Sequence, residues 1–282
     1  MRKDIAAVLI LTTLFLGSRR GSAFLLDMDC GRSLPTRLTP NIYSGNRTDI
    51  LANPWMVSVI VKGEAKCSGS LINHRFVLTA AHCVFNDQMQ VHLGEFDPLN
   101  PGDCGAGARI PNAYCVRVDK KIVHAQFIQT QTQQYDIGLL RMQHAVRYSD
   151  TVRPICLVIN ESVAAIDRFQ ITGWGTTEEG NPIFSRFLKN TVVERIDRGR
   201  CSSKFQEQVD ESQICVGSWM SDTCRGDSGG PMSADILYSG RYRTIQFGII
   251  SFGLSSCAGL TVCTNVAQYM DWIWDVLNSS SA

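Results

Sequence analysis

Short runs rich in β-branched and other apolar residues, each four to seven long, recur along the chain at 56–61, 76–79, 117–123, 137–140, 169–172, 191–196 and 245–251. Gly, Asn, Asp and Pro separate them. Runs this short, spaced this way, predict an all-β sandwich or barrel rather than a helical or α/β fold. One segment breaks the pattern. Apolar residues at 266, 269, 270, 273, 274 and 277 follow the three- and four-residue spacing of an amphipathic helix, which closes an otherwise β chain. Pro154-Ile155-Cys156 lies near the middle of the sequence beyond Phe24 and marks a passage between two β modules of similar size. No heptad, fixed repeat or low-complexity tract interrupts that stretch.

Composition narrows the function classes. The chain has 282 residues, enough for one large domain or two small ones, and 44% are hydrophobic. Lys and Arg number 27 against 26 Asp and Glu, a net charge of +1 without a basic block, so the chain carries no electrostatic footprint for nucleic acid. Eleven cysteines are too many for an ordinary reduced cytosolic protein and point to an oxidising compartment or to metal. No Cys-x-x-Cys pair is present, which argues against zinc. Residues 1–23 read as a secretory signal peptide: Arg2 and Lys3, an apolar run over 5–17, then Gly21-Ser22-Ala23 before Phe24. The run is 13 residues against the roughly 20 needed to cross a bilayer, so a secreted, extracellular protein without a membrane anchor is expected.

Cys224-Arg225-Gly226-Asp227-Ser228-Gly229-Gly230-Pro231 surrounds one serine with three glycines. Glycine lets backbone approach a ligand closely, as backbone N–H groups aimed at an oxyanion require; a tight Gly-rich turn is the plainer alternative. A serine nucleophile needs a base. His82 follows an apolar run in Thr79-Ala80-Ala81-His82-Cys83, although a lone histidine is more often structural. Asp136 heads the run Ile137-Gly138-Leu139-Leu140, where a half-buried carboxylate needs a partner or caps a turn.

Taken together, Thr79-Ala80-Ala81-His82-Cys83, Asp136-Ile137-Gly138-Leu139-Leu140 and Gly226–Pro231, in the order His, Asp, Ser, closely resemble the chymotrypsin/trypsin-type serine endopeptidases. Thr172-Gly173-Trp174-Gly175 and Ile250-Ser251-Phe252-Gly253 match two further landmarks of that family. The resemblance covers about residues 42–277. It implies two packed six-stranded antiparallel β-barrels with a C-terminal helix and a cleft between the barrels. It also implies roles: Ser228 as nucleophile, His82 as base and then acid, Asp136 as the group orienting His82, and the N–H groups of Gly226 and Ser228 as oxyanion hole. No cofactor enters the chemistry.

The family's pairing implies disulfides Cys30–Cys156, Cys67–Cys83, Cys201–Cys215 and Cys224–Cys257. Cys104 and Cys115 share one loop and pair most simply with each other, a loop resembling that of arthropod haemolymph proteases of the clip group. The segment before Ile42 holds one cysteine, so no clip domain is expected there. Cys263 is left over, inside the apparent strand 260–264, and reads as a buried thiol.

The resemblance puts Asp222, six residues before Ser228, at the floor of the substrate pocket, which implies cleavage after Arg or Lys. Gly253 stands on one wall; Thr261 stands where trypsins usually carry glycine and should narrow the slot or bond to Asp222. Such enzymes are made as zymogens. Trp55 lies 13 residues after Ile42, the family's offset, so Ile42-Tyr43-Ser44-Gly45 is the expected new N-terminus and Asp227 its buried partner. The implied organisation is signal peptide 1–23, pro-segment 24–41 and protease domain 42–282. Asn41 replaces the usual basic residue before the cut, with Arg37 the nearest base. Either a protease of non-tryptic preference activates the chain, or it persists uncut as a catalytically silent binding or regulatory protein. A disulfide-rich adhesive module would explain the cysteines but not the three catalytic motifs. The expected partners are protein or peptide substrates, an activating protease and a serpin-type inhibitor.

Asn46-Arg47-Thr48, Asn160-Glu161-Ser162 and Asn278-Ser279-Ser280 have the form of N-glycan acceptors, so a glycoprotein is expected. Gly94-Glu95-Phe96-Asp97 resembles the start of a calcium loop, without a second carboxylate cluster after Cys115 to complete it.

Overall fold

The computed structural model describes residues 24–35, 46–94, 114–129, 133–159, 166–175, 185, 187–217, 227–253 and 259–279. Two short strands, β1 (Phe24–Leu25) and β2 (Asn46–Arg47), precede the first barrel. That barrel is built from β3 (Met56–Val61), β4 (Glu64–Leu71), β5 (Phe76–Thr79), β6 (Met89–Leu93), β7 (Tyr114–Val123) and β8 (Gly138–Met142). They close antiparallel in the order β3-β4-β5-β8-β7-β6. Val57, Val59, Leu71, Val77, Leu139 and Leu140 pack inside without measurable exposure. Between β7 and β8 lies a short helix, α1 (Ala125–Gln129).

After β9 (Val158–Ile159), the second barrel uses β10 (Arg168–Gly173), β11 (Lys189–Arg195), β12 (Gln213–Gly217), β13 (Pro231–Tyr238), β14 (Arg241–Gly253) and β15 (Leu260–Asn265). Their order is β10-β13-β14-β15-β12-β11, and the β10–β11 ladder closes the ring, with β2 riding on the outer edge of β11. The sequence runs are the cores of β3, β5, β7, β8, β10, β11 and β14, and closure into two barrels removes the sheet edges that an open sandwich would leave.

The segment 154–156 joins both barrels, as its position in the sequence suggested. Ile155 donates its N–H to Leu71 of the first barrel at 2.9 Å, while Cys156 bonds to Thr244 and Gln246 of the second at 3.1 and 2.9 Å. The N-terminal segment docks on the same seam. β1 pairs with β9, and Cys30 is disulfide-bonded to Cys156. Gly31 sits at φ +63 where an added Cβ would lie 2.7 Å from both Cys156 Sγ and the Thr244 carbonyl, so only glycine fits.

Helix α2 (Arg198–Phe205) was not legible in the sequence because Cys201 is its only buried residue, leaving no periodic apolar face. Asp197 caps it, accepting from the Gly199 N–H at 2.9 Å. The C-terminal helix differs from expectation at its start. Val266–Tyr269 form a 3-10 turn, and α3 (Met270–Ser279) follows. The chain passes straight from β15 into this turn; the Asn265 side chain donates to Glu211 O at 3.0 Å instead of capping it, and the tighter geometry is usual at such helix starts. Val266, Tyr269, Met270, Ile273 and Leu277 are buried as their spacing required, whereas Trp274 is 42% exposed.

Cys67–Cys83 and Cys201–Cys215 are also bonded, and Cys115 takes part in a disulfide whose partner lies outside the described residues. Cys104, Cys224 and Cys257 fall outside them as well. Cys263 is a free thiol, fully buried, and burial pushes its pKa up to about 12. Among the described residues no helix is long and apolar enough to cross a membrane.

Candidate active site

Strand β5 ends at Thr79, and residues Ala81–Cys83 form one 3-10 turn closed by a Cys83 N–H to Ala80 O bond of 3.1 Å. The Cys67–Cys83 disulfide staples this turn to β4. Ala81 and Cys83 point inward, so His82 projects outward with 33% of its side chain exposed. Asp136 arrives just ahead of β8, the strand paired with β5 through Thr79 and Gly138. Tyr135 adopts a left-handed φ of 58°, and a tight turn bonds Ile137 N–H to Tyr135 O at 2.7 Å, which swings the Asp136 side chain inward ahead of β8.

Asp136 is completely buried, and its acceptor atoms are in use. Its Oδ2 accepts from His82 Nδ1 at 2.7 Å and from Ser251 Oγ at 2.5 Å; Oδ1 accepts the His82 backbone N–H at 3.0 Å. Its carbonyl accepts from Thr264 Oγ1 at 2.8 Å. A buried carboxylate is tolerable only when bonded in this way. Holding Nδ1 as donor to the carboxylate leaves Nε2 as the ring nitrogen that exchanges a proton. Ser251 and Thr264 belong to the second barrel, so both barrels hold the pair. Neither residue was a sequence candidate for this role: Ser251 lies 115 residues from Asp136 and Thr264 lies 128 away.

Ser228 is half-buried in a turn pinned from both sides. Its carbonyl accepts the Ser68 N–H of β4 at 2.9 Å, and the Gly229 N–H donates to Ile250 O of β14 at 2.8 Å. Gly229 has φ +80, and an added Cβ would sit 2.2 Å from Thr79 Oγ1 and 2.5 Å from Ser68 O. The serine turn is thus packed against the strand that delivers His82, and Ile250 and Ser251, consecutive in β14, hold Gly229 and Asp136 respectively. Gly226, the other residue of the expected oxyanion hole, lies outside the described residues, as do Asn41, Ile42 and Asp222.

Asp227 is buried beside this turn, and its Oδ1 accepts the Gly175 N–H at 2.8 Å. An added Cβ on Gly173 would lie 2.0 Å from Asp227 Oδ1, and one on Gly175 would lie 2.3 Å from Oδ2. The two glycines of Thr172-Gly173-Trp174-Gly175 therefore make the niche that receives this carboxylate, a reason the sequence did not reveal. Thr172 Oγ1 donates to Asn53 Oδ1 at 3.3 Å, and Asn53 Nδ2 donates to Thr48 Oγ1 at 2.8 Å, which ties the stretch after the expected cleavage point to the same niche.

Gly253 and Thr261 face each other as partners in the β14–β15 ladder. A Cβ on Gly253 would meet Thr261 Oγ1 at 3.2 Å, so the threonine hydroxyl occupies the space beside the glycine. Cys67, His82 and Cys83 gather within 4.8 Å in a metal-like cluster. Both sulfurs are joined in the disulfide and offer no thiolate to an ion.

The Trypsin family profile matches residues 42–273. The chain belongs to the trypsin family. It is a serine endopeptidase, a hydrolase, by its relationship to named serine proteases. It is 34% identical over 275 residues to Serine protease grass of Drosophila melanogaster, covering 90% of this chain and 71% of that one. It is also 34% identical over 263 residues to the Spaetzle-processing enzyme of the same organism, covering 82% and 65%. The crystal structure of the Drosophila Grass clip serine protease superposes with a TM-score of 0.75 at 31% identity, over 90% of this chain and 76% of that one. The match spans the protease domain of this trypsin-family chain, and the two six-stranded barrels with a closing helix are that family's architecture.

Proposed function

We propose that His82, Asp136 and Ser228 are the catalytic residues and that the chain hydrolyses peptide bonds through an acyl-enzyme. The observation that carries this reading is the buried Asp136 carboxylate, bonded to both the ring and the backbone N–H of His82. Ser228 Oγ attacks the scissile carbonyl while His82 Nε2 takes its proton. The tetrahedral oxyanion is met by the N–H groups of Gly226 and Ser228. The C–N bond then breaks, His82 returns the proton to the leaving amine, and water repeats the cycle to release the acid. Asp136 holds the imidazole in orientation and balances its transient positive charge.

In this reading Asp222 selects Arg or Lys through a charge-assisted hydrogen bond, in a slot narrowed by Thr261 opposite Gly253. The protein is a secreted glycoprotein and zymogen, with signal peptide 1–23, pro-segment 24–41 and protease domain 42–282. Cleavage after Asn41 by a protease of non-tryptic preference frees the Ile42 amine. That amine pairs with Asp227, whose buried carboxylate in a glycine-lined niche supports the assignment. The names of its relatives, a Spaetzle-processing enzyme and a Phenoloxidase-activating factor 1 among them, support protein substrates in a cascade, with an activating protease upstream and a serpin-type inhibitor downstream.

The test is N-terminal sequencing of the extracellular form combined with a fluorophosphonate probe and a fluorogenic P1 scan. Ile42 termini, labelling lost in Ser228→Ala, and a preference for Arg or Lys are expected. A persistent single chain beginning near Phe24 and refractory to the probe would instead establish the silent binding protein. Labelled enzyme preferring aromatic or small P1 residues would overturn the Asp222 assignment alone.

A further inference from the structure

Tyr135 holds a backbone conformation that its residue type disfavours. Its φ of 58° is left-handed, a region that Gly, Asn and Asp enter readily and an aromatic residue seldom does. Such strain persists only where the surroundings over-determine it. Tyr135 directly precedes the buried Asp136, and the turn it makes, with the Ile137 N–H donating to its carbonyl at 2.7 Å, sets the direction of the Asp136 side chain. If Tyr135 relaxed to negative φ, the peptide that follows would rotate and carry the carboxylate away from His82 Nδ1, now 2.7 Å distant.

The surroundings that hold Tyr135 are aromatic and come from separate parts of the chain. His124, directly after β7, lies flat against the Tyr135 ring, with centroids 5.1 Å apart and planes 12° from parallel. Tyr269, in the 3-10 turn before α3, meets both rings edge-on, 5.5 Å from His124 and 6.2 Å from Tyr135. Trp272 of α3 packs on His124 at 5.4 Å. Stacked and edge-on pairs are the arrangements such rings favour. His124 is itself fixed, since its backbone N–H donates to Ile137 O at 3.2 Å and its carbonyl accepts the Phe127 N–H at 3.0 Å. One residue thus stacks on Tyr135 and bonds to Ile137, the two neighbours of Asp136. Tyr269 is 5% exposed and packs with Val266, Met270 and Ile273 into the same apolar cluster as the first barrel's core, so the closing helix delivers its rings to this turn.

We propose that His124 and Tyr269 form an aromatic clamp that holds Tyr135 in its left-handed turn and so keeps Asp136 bonded to His82. His124, Tyr135 and Tyr269 act through Asp136 and are positioning residues. The clamp rests on the reading of Asp136 as the group that orients His82, and it gives the C-terminal helix a part in the proton-transfer site.

The test pairs two readouts on variants of the full chain. One is the downfield proton resonance of His82 Nδ1–H, assigned by its absence in His82→Ala and read without cleavage or catalysis. The other is the rate of fluorophosphonate labelling of the active form. His124→Leu fills the site without a ring to stack; it should shift and broaden the resonance and slow labelling about tenfold. His124→Phe keeps a flat ring and should retain both. Asn enters the left-handed region unaided, so Tyr135→Asn should label within about twofold of the parent, and adding His124→Leu to it should cost no more than about twofold further. A clamp acting through the turn requires that non-additivity, whereas a ring that only stabilises the fold does not. Tyr269→Leu should reproduce both the loss and its suppression by Tyr135→Asn, so the outcome does not hang on one variant's folding. Parent-like resonance and labelling in His124→Leu and Tyr269→Leu overturn the proposal, as does an equal loss in the Tyr135 and Tyr135→Asn backgrounds. A parent that shows the resonance but is never labelled overturns the catalytic reading instead, and the resonance then decides the clamp alone.

Discussion

Ser251 donates its hydroxyl at 2.5 Å to a carboxylate that has no contact with solvent. A hydrogen bond to a charged group in such a place contributes about 1.5–3 kcal/mol. Ser251→Ala should therefore lower kcat/KM of the activated enzyme by about 10- to 100-fold, with the fold retained by circular dichroism. A second residue-scale outcome concerns Asp227. A methyl group on Gly175 would fall 2.3 Å from Asp227 Oδ2, so Gly175→Ala must displace the carboxylate. Overpacking of this kind costs about 1–3 kcal/mol. Denaturant titration should show that loss, and fluorophosphonate labelling should fall with it. His82, Asp136 and Ser228 are singled out by three motifs that together resemble one family, each residue type suiting the role proposed for it. The contacts of Ser251, Thr264 and the Gly173–Gly175 niche are not legible in this way: a serine or glycine in a strand gives no sign of what it touches 115 residues away.

At the scale of elements, β6 carries a pH liability. His92 is 3% exposed within it, and burial lowers its pKa from 6.5 to about 4. The unfolded chain binds a proton there between those values and the folded chain does not. The neutral His92 thus contributes stability that is present above pH 6.5 and lost as the pH falls towards 4, up to about 3 kcal/mol. Thermal unfolding across that range should show a decline that His92→Gln flattens. The strand runs themselves were legible because β-branched clusters between turn residues have few other solutions. Helix α2 was hidden because it buries one residue, and the start of α3 tightened into a 3-10 turn because the Asn265 side chain is committed to Glu211.

For the whole molecule, the tethered N-terminal segment and the free thiol report on assembly. The Cys30–Cys156 bridge closes a separation of 126 residues, and removing it as Cys30→Ser/Cys156→Ser should cost about 2–5 kcal/mol, read as a fall in Tm. Non-reducing electrophoresis of the cleaved parent should keep the segment attached. Cys263, buried and with its pKa raised to about 12, should react with a thiol reagent far more slowly in the folded protein than in denaturant. The amino-acid sequence alone determined the short-strand β character and the closing amphipathic helix, and its three motifs carried the resemblance that implied two barrels, the residues proposed as catalytic and an unpaired Cys263. The first two follow from local pattern; the others follow from motif residues shared with a family. Only the tertiary structure decided how Asp136 is held by both barrels, why glycines flank Trp174, and how Arg243 is buried against the Cys30 carbonyl of the N-terminal tether. Those arrangements depend on contacts between segments distant along the chain, and such contacts exist only once the two barrels have closed and packed together.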